Sequence, residues 1–164
     1  PALIKSNSYI ANINGILNAV IVESKPVGQS VLQGEGAGAG PTTSSLISDL
    51  CSILRGNIKF PFVISYKKRK SALFENIANK KFSVYFRLDV KDKHGILSDI
   101  TKVMAKNKVS IKRLIQNPTE NKKNASIVII THHAKSSSLS KVMSILNNKN
   151  YIVNDSKFIR IEDI

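Results

Sequence analysis

The sequence predicts an α+β chain, in which a β-hairpin and a helix precede a βαββαβ module with both helices on one face of an antiparallel sheet. Three observations predict it. Val84, Phe86, Leu88 and Val90 alternate with Tyr85, Arg87, Asp89 and Lys91, the period of a strand with one covered face. Ile96, Leu97, Ile100, Val103 and Met104 recur at helical spacing and form one apolar stripe. Two β-branched-rich stretches, Ile16 to Glu23 and Gly28 to Leu32, flank the turn residues Ser24-Lys25-Pro26, as in a hairpin.

The elements follow in order. After the hairpin a glycine-rich stretch, Gly34 to Gly40, leads to Pro41, which suits the first position of a helix. That helix runs to about Arg55, with Leu46, Ile47, Leu50, Ile53 and Leu54 on one face and Gly56 as the stop. Residues 57–80 read as a linker holding a short extended piece, Phe60 to Tyr66, the basic run Lys67-Lys68-Arg69-Lys70 and a helical turn around Leu73 to Ile77. In residues 81–164 the first strand is followed by the turn Asp92-Lys93-His94-Gly95 and a helix that ends at Asn107. A second strand spans Val109 to Gln116, and a polar loop follows it from Asn117 to Asn124. The third strand, Ala125 to His132, contains the unbroken run Ile127-Val128-Ile129-Ile130, which fits a central strand. Ser136 to Ser138 can cap a second helix with Leu139, Val142, Met143 and Leu146 facing inward, and a last strand runs from Phe158 to Glu162.

Composition narrows the function classes. The chain has 164 residues, 42% hydrophobic and 22% charged, which fits packed cores and excludes a disordered or collagen-like chain. No apolar run approaches the roughly 18 to 20 residues of a membrane span, and no signal peptide is apparent, so a cytoplasmic protein without membrane contact is expected. The lone Cys51 falls in a helical apolar pattern and reads as core filling. Net charge is +14, yet apart from the basic run the lysines scatter over solvent-facing positions, so no nucleic-acid partner is expected. RNA-binding modules of the same βαββαβ order stack bases on aromatics in the third strand, where this sequence has none. The chain opens on Pro1, which points to a piece of something longer.

Candidate chemistry is sparse. Gly34, Gly36 and Ala39 fit a loose G-x-G-x-x-G/A between a strand and a helix, where backbone amides can face a pyrophosphate. A self-contained dinucleotide-binding fold nevertheless lacks the further βαβ units it requires, and no lysine follows the glycines to make a P-loop. His132 and His133, adjacent on the expected third strand, point to opposite faces and do not join His94 in a metal site. No catalytic constellation appears.

Two sets of motifs carry a family resemblance. Ile16-Leu17-Asn18-Ala19-Val20, Val27-Gly28, Gly34-Glu35-Gly36-Ala37-Gly38, Pro41-Thr42 and Asp49 resemble the end of the catalytic domain of homoserine dehydrogenase, here residues 1–56. Residues 81–164 resemble the ferredoxin-like ACT domain appended to that enzyme, through Asp92-Lys93-His94-Gly95-Ile96-Leu97, Ile115-Gln116, Thr131-His132 and Ile159-Arg160-Ile161-Glu162.

The resemblance implies an NAD(P)-dependent oxidoreductase that reduces aspartate semialdehyde to homoserine in threonine and methionine biosynthesis. Its Rossmann domain and catalytic residues would lie upstream, so none is assigned here and this stretch alone is expected to be inactive. Gly36, Ala37 and Gly38 match the loop that approaches the nicotinamide end of the cofactor, and Gly38→Val is expected to weaken cofactor binding with the fold intact. In the ACT part the resemblance implies an amino acid effector, threonine first, at Asp92, His94, Gly95, Ile96, Leu97 and Gln116. Gly95 would admit the ligand backbone, the amides of Ile96 and Leu97 would meet its carboxylate, and Asp92 its ammonium. The sequence departs from the family at His94, where proline is usual. ACT modules pair, so a homo-oligomer is implied. A paired module without effector is the alternative.

Overall fold

The computed structural model describes residues 1–56, 66–71, 76–118 and 123–163. The chain divides into two units, one of Pro1–Lys5 with Leu73–Ile164 and one of Ser6–Ala72.

The Ser6–Ala72 unit holds an antiparallel hairpin of β2 (Leu17–Ser24) and β3 (Gly28–Glu35), paired in register from Leu17↔Glu35 to Ser24↔Gly28. The Lys25–Pro26 bond in its turn is cis. Helix α1 (Ala39–Leu54) starts two residues before Pro41, which therefore occupies the third helical position rather than the first. Proline is tolerated there too, because the first-turn amides have no intrahelical acceptor. Among the described residues of this unit only Ser8 is buried. The apolar face of α1 is exposed, Leu46 at 65%, and Cys51 is half-buried rather than core. The hairpin and helix do not enclose that face by themselves. The extended piece expected at Phe60 to Tyr66 lies outside the described residues, apart from Tyr66, which opens a 3-10 turn.

The second unit is the βαββαβ module. It contains β4 (Lys81–Lys91), α2 (Ile96–Lys106), β5 (Ile111–Pro118), β6 (Asn124–Thr131), α3 (Ser136–Asn147) and β8 (Lys157–Ile161), with a two-residue β7 (Ala134–Lys135) paired to the start of β4. The helical turn expected at Leu73 to Ile77 is a 3-10 turn at Ile77–Asn79, while residues 72–75 lie outside the described set. The sheet order is β1-β8-β4-β6-β5, where β1 (Ala2–Leu3) runs parallel to β8. The first five residues, expected with the hairpin, thus belong to this sheet. Glu162 N donates to Leu3 O at 2.9 Å, and Lys5 pairs with Asp163 at 3.2 Å.

Alternation on β4 decides the packing. Phe82, Val84, Phe86, Leu88 and Val90 point to the helices and are buried, joined by Ile127 and Ile129 of β6 and by Ile100, Met104, Leu139, Val142 and Leu146. Phe86 meets Phe158 of β8 with ring centroids 5.5 Å apart, a favourable tilted aromatic pair. Burying side chains of this size stabilises by roughly 1.5 to 3 kcal/mol each before entropy is counted. Two sequence expectations need correction. Lys135, not a serine, precedes α3, and no side chain caps it. His132 and His133 lie beyond Thr131, the last residue of β6, because the chain turns there into β7, so strand alternation does not apply to them.

Candidate functional site

Strand β4 ends at Lys91 and α2 begins at Ile96, so four residues must reverse the chain. Gly95 makes the reversal possible. It sits at φ 84°, ψ −16°, left-handed backbone that side chains with a Cβ resist, and no atom lies within 4 Å of where its Cβ would stand. Asp99 N donates to Gly95 O at 3.0 Å, which opens the helix. No side chain caps the preceding amides, leaving the α2 N-terminus free to meet an anion.

The loop faces a cavity of about 690 Å³ lined by Asp92, His94, Gly95, Ile96, Leu97 and Gln116, together with Val90, Lys91, Lys93 and Ile127. The structure therefore brings all six sequence-assigned effector residues to one cavity. Ile96, Val90 and Ile127 supply a buried apolar floor. Gln116 reaches it because its register partner on β6 is Ile127, so both point to the helix side of the sheet. Leu97, assigned to the inward stripe, lies at its margin and is 36% exposed. Asp92 and His94 are exposed, and the Asp92 amide is anchored by donation to Lys123 O at 2.8 Å.

Tyr151 holds both ends of this loop and was not singled out by sequence. Its carbonyl accepts from Lys91 N at 2.9 Å just before the loop, and its hydroxyl donates to Asp99 Oδ2 at 2.9 Å just after it. Lys149 also reaches Asp99 Oδ2, at 2.9 Å, and Lys91 Nζ donates to Asn150 O at 3.0 Å. The Lys149 and Tyr151 hydrogen bonds hold the Asp99 carboxyl below its usual range. Burial, and then Asp99, push the Tyr151 hydroxyl upward. No sequence pattern marks Tyr151, because its partners lie 52 and 60 residues away.

The glycine loop belongs to the other unit and is built differently. Gly36 N donates to Ile16 O at 2.8 Å, and a Cβ at Gly36 would overlap the Asn18 side-chain amide. Gly38 precedes α1 at φ 108°, ψ 155°, a region almost reserved for glycine. Its carbonyl accepts from Thr42 N at 3.2 Å and from Thr42 Oγ1 at 2.8 Å. Ala37 is exposed. Valine at Gly38 is therefore strained whatever the cofactor does, which corrects the expectation that this change leaves the fold intact.

Comparison with known proteins sharpens the assignment. The homoserine dehydrogenase family model matches residues 1–51, and the ACT domain model matches residues 84–149. The homoserine dehydrogenase of Helicobacter pylori is 28% identical over 163 residues, covering 99% of this chain and 38% of its own length. That of Mycobacterium tuberculosis H37Rv is 31% identical over 169 residues, again 99% and 38%. A homoserine dehydrogenase structure from Thiobacillus denitrificans superposes over 99% of this chain and 38% of its own, with TM-score 0.83 and 25% identity. Over nearly its whole length the chain is thus similar to a stretch of homoserine dehydrogenase that carries an ACT domain. It spans about 38% of the length of the relatives it matches. The loop cavity lies in the stretch matched by the ACT domain model, at the β4–α2 junction, and the glycine loop lies in the stretch matched by the homoserine dehydrogenase model.

Proposed function

We propose that this chain is the regulatory end of an NAD(P)-dependent homoserine dehydrogenase, and that its ACT domain senses an amino acid, threonine first, as feedback inhibitor of aspartate semialdehyde reduction in threonine and methionine biosynthesis. One observation carries the reading: an uncapped helix N-terminus, the exposed Asp92 carboxylate and an apolar floor converge on one cavity. An amino acid needs that set. Its carboxylate is stabilised by the amides of Ile96 and Leu97, and its ammonium by Asp92. Its side chain lies on Val90, Ile96 and Ile127, with Gln116 within the cavity to bond a hydroxyl. A ligand favouring one arrangement of paired ACT domains biases a distant active site through its differential affinity.

The nicotinamide cofactor supplies the hydride, and the catalytic machinery is expected in the remainder of the enzyme. On this chain the exposed Ala37, between Gly36, whose amide donates to Ile16 O, and Gly38, whose carbonyl accepts from Thr42, is the position from which the main chain meets that cofactor. The protein is assigned to the cytoplasm. No helix among the described residues is long and apolar enough to cross a membrane.

Thermal shift of the whole 164-residue chain tests the sensing role, because β1 belongs to the ACT sheet and must be kept. Threonine at 100 times its dissociation constant stabilises by about 2.7 kcal/mol. Unchanged melting with threonine, isoleucine, methionine and lysine would leave a pairing module without an effector.

A further inference from the structure

The lysines of α2 and α3 are scattered in sequence and gathered in space. Lys102 and Lys106 of α2, Lys141 of α3 and Lys149 just beyond it line one groove of about 460 Å³. Val103, buried, and Ile145, half-buried, give that groove an apolar floor. Its charge is not balanced from within. Asp99 is the only acidic residue on either helix, and its Oδ2 is already bonded to Lys149 and to Tyr151, each at 2.9 Å. Lys102, Lys106 and Lys141 are exposed and make no ion pair among the described residues. Lys102 and Lys106 also stand four residues apart on one helix, the spacing at which like charges repel. A cluster kept against this repulsion, with one carboxylate for four ammonium groups, breaks a local rule of stability in the way functional sites do.

We propose that this groove binds a small oligophosphate, a short chain of linked phosphate groups, either free or as the phosphate end of a nucleotide. A cleft lined by one sign of charge over low-dielectric walls focuses the field and concentrates the opposite ion. Its volume falls within the roughly 300 to 1,000 Å³ of small-molecule sites. The donor set selects phosphate. Lysine ammonium groups are compact point charges that suit phosphate oxygens, whereas carboxylate recognition favours the planar fork of arginine, and no arginine lines the groove. Four helical residues rise about 6 Å, so Lys102 and Lys106 address neighbouring phosphates of one chain rather than a single group. Lys141 meets the same anion from the other helix. A long polyanion fits less well, because towards Asp99 it would meet a carboxylate and a lysine that is already paired. The groove shares no lining residue with the loop cavity, so the site is distinct from the one assigned to an amino acid.

Titration calorimetry of the 164-residue chain with inorganic tripolyphosphate, and separately with magnesium-free ATP, tests it at about 0.15 M salt. One anion per chain is expected, with a dissociation constant of about 10 to 100 µM that rises with added salt. Lys102→Gln combined with Lys141→Gln should weaken binding about tenfold or more, because two charge-assisted contacts are lost. Melting should not fall in that variant, since the repulsion is relieved. Lys106→Gln alone should shift binding in the same direction if the double variant fails to fold. Lys67→Gln combined with Lys68→Gln, a charge-matched change in the basic run, should leave binding unchanged. Equal affinity for both anions assigns the phosphate chain as the ligand, and tighter ATP assigns a nucleotide; either upholds the site. No saturable heat up to about 1 mM of both anions would overturn the inference. So would binding that falls as much in the Lys67 and Lys68 variant as in the groove variants, the mark of unspecific charge. Tighter binding of a polyglutamate peptide or a single-stranded oligonucleotide than of tripolyphosphate would likewise overturn it, in favour of a macromolecular surface.

Discussion

Gly38 and Gly95 stand at the entries of α1 and α2, both at positive φ and both without a side-chain cap, yet they enter their helices on different terms. Gly95 introduces a helix whose stripe Ile96, Ile100, Val103 and Met104 is buried, so the loop before it is held by a packed core and by Tyr151. Gly38 introduces a helix with no buried residue, and its loop is held by local hydrogen bonds to Ile16 and from Thr42. A glycine-led helix entry is therefore a stable cradle only where the helix behind it is packed.

The comparison can be broken at several points. Gly38→Val should have the largest effect, about 2 to 3 kcal/mol locally, since its backbone region is almost closed to other residues. Hydrogen exchange should show the first turn of α1 opening while the β4–β6 core keeps its protection. Gly95→Ala should cost about 1 to 2 kcal/mol, because space is free and only the backbone objects. For a unit of this size that lowers the melting temperature by several degrees, and effector affinity should fall with it.

Tyr151→Phe removes a hydrogen bond to a carboxylate and should cost about 1 kcal/mol, read by denaturant unfolding, with exchange rising at Lys91 and Asp99. The pH dependence of this contact is two-sided. Asp99 is depressed on folding, so its contribution is present above about 3.8 and lost as pH falls through its lowered value. Tyr151 is raised, so its contribution is full below about 10.0 and lost as pH rises toward the folded value. Asp99→Asn should flatten the acid limb by about 0.5 kcal/mol, a small figure because the carboxylate is over a third exposed. The smallest change should come from Gly36→Ala, a few tenths of a kcal/mol, since the overlapping Asn18 side chain is exposed and free to rotate; Asn18→Ala should restore wild-type stability.

Sequence showed the ACT-type unit well where one residue's neighbours along the chain were also its neighbours in space. The β4 alternation, the α2 stripe and the loop 92–97 are of this kind, and five of the six assigned cavity residues lie within that loop. Gln116 came from the family resemblance, and its aim toward Ile127 follows only from strand register. Tyr151 and β1 were invisible. A two-residue strand has no period, and a tyrosine that bonds through both its carbonyl and its hydroxyl leaves no spacing to read. The α1 stripe was legible as a face, but a stripe does not say what encloses it. Ser136 to Ser138 look like caps and instead form the first turn of α3.

Because β1 joins β8 before the chain enters the hairpin unit at Ser6, the ACT-type fold is written in two pieces of sequence with the hairpin unit spliced between them. A transplant of residues 81–164 onto another enzyme would carry a raw edge at β8, an invitation to misplaced strand pairing. It would also arrive with one attachment point where the natural arrangement has two. The hairpin unit is instead held at both ends by the same sheet.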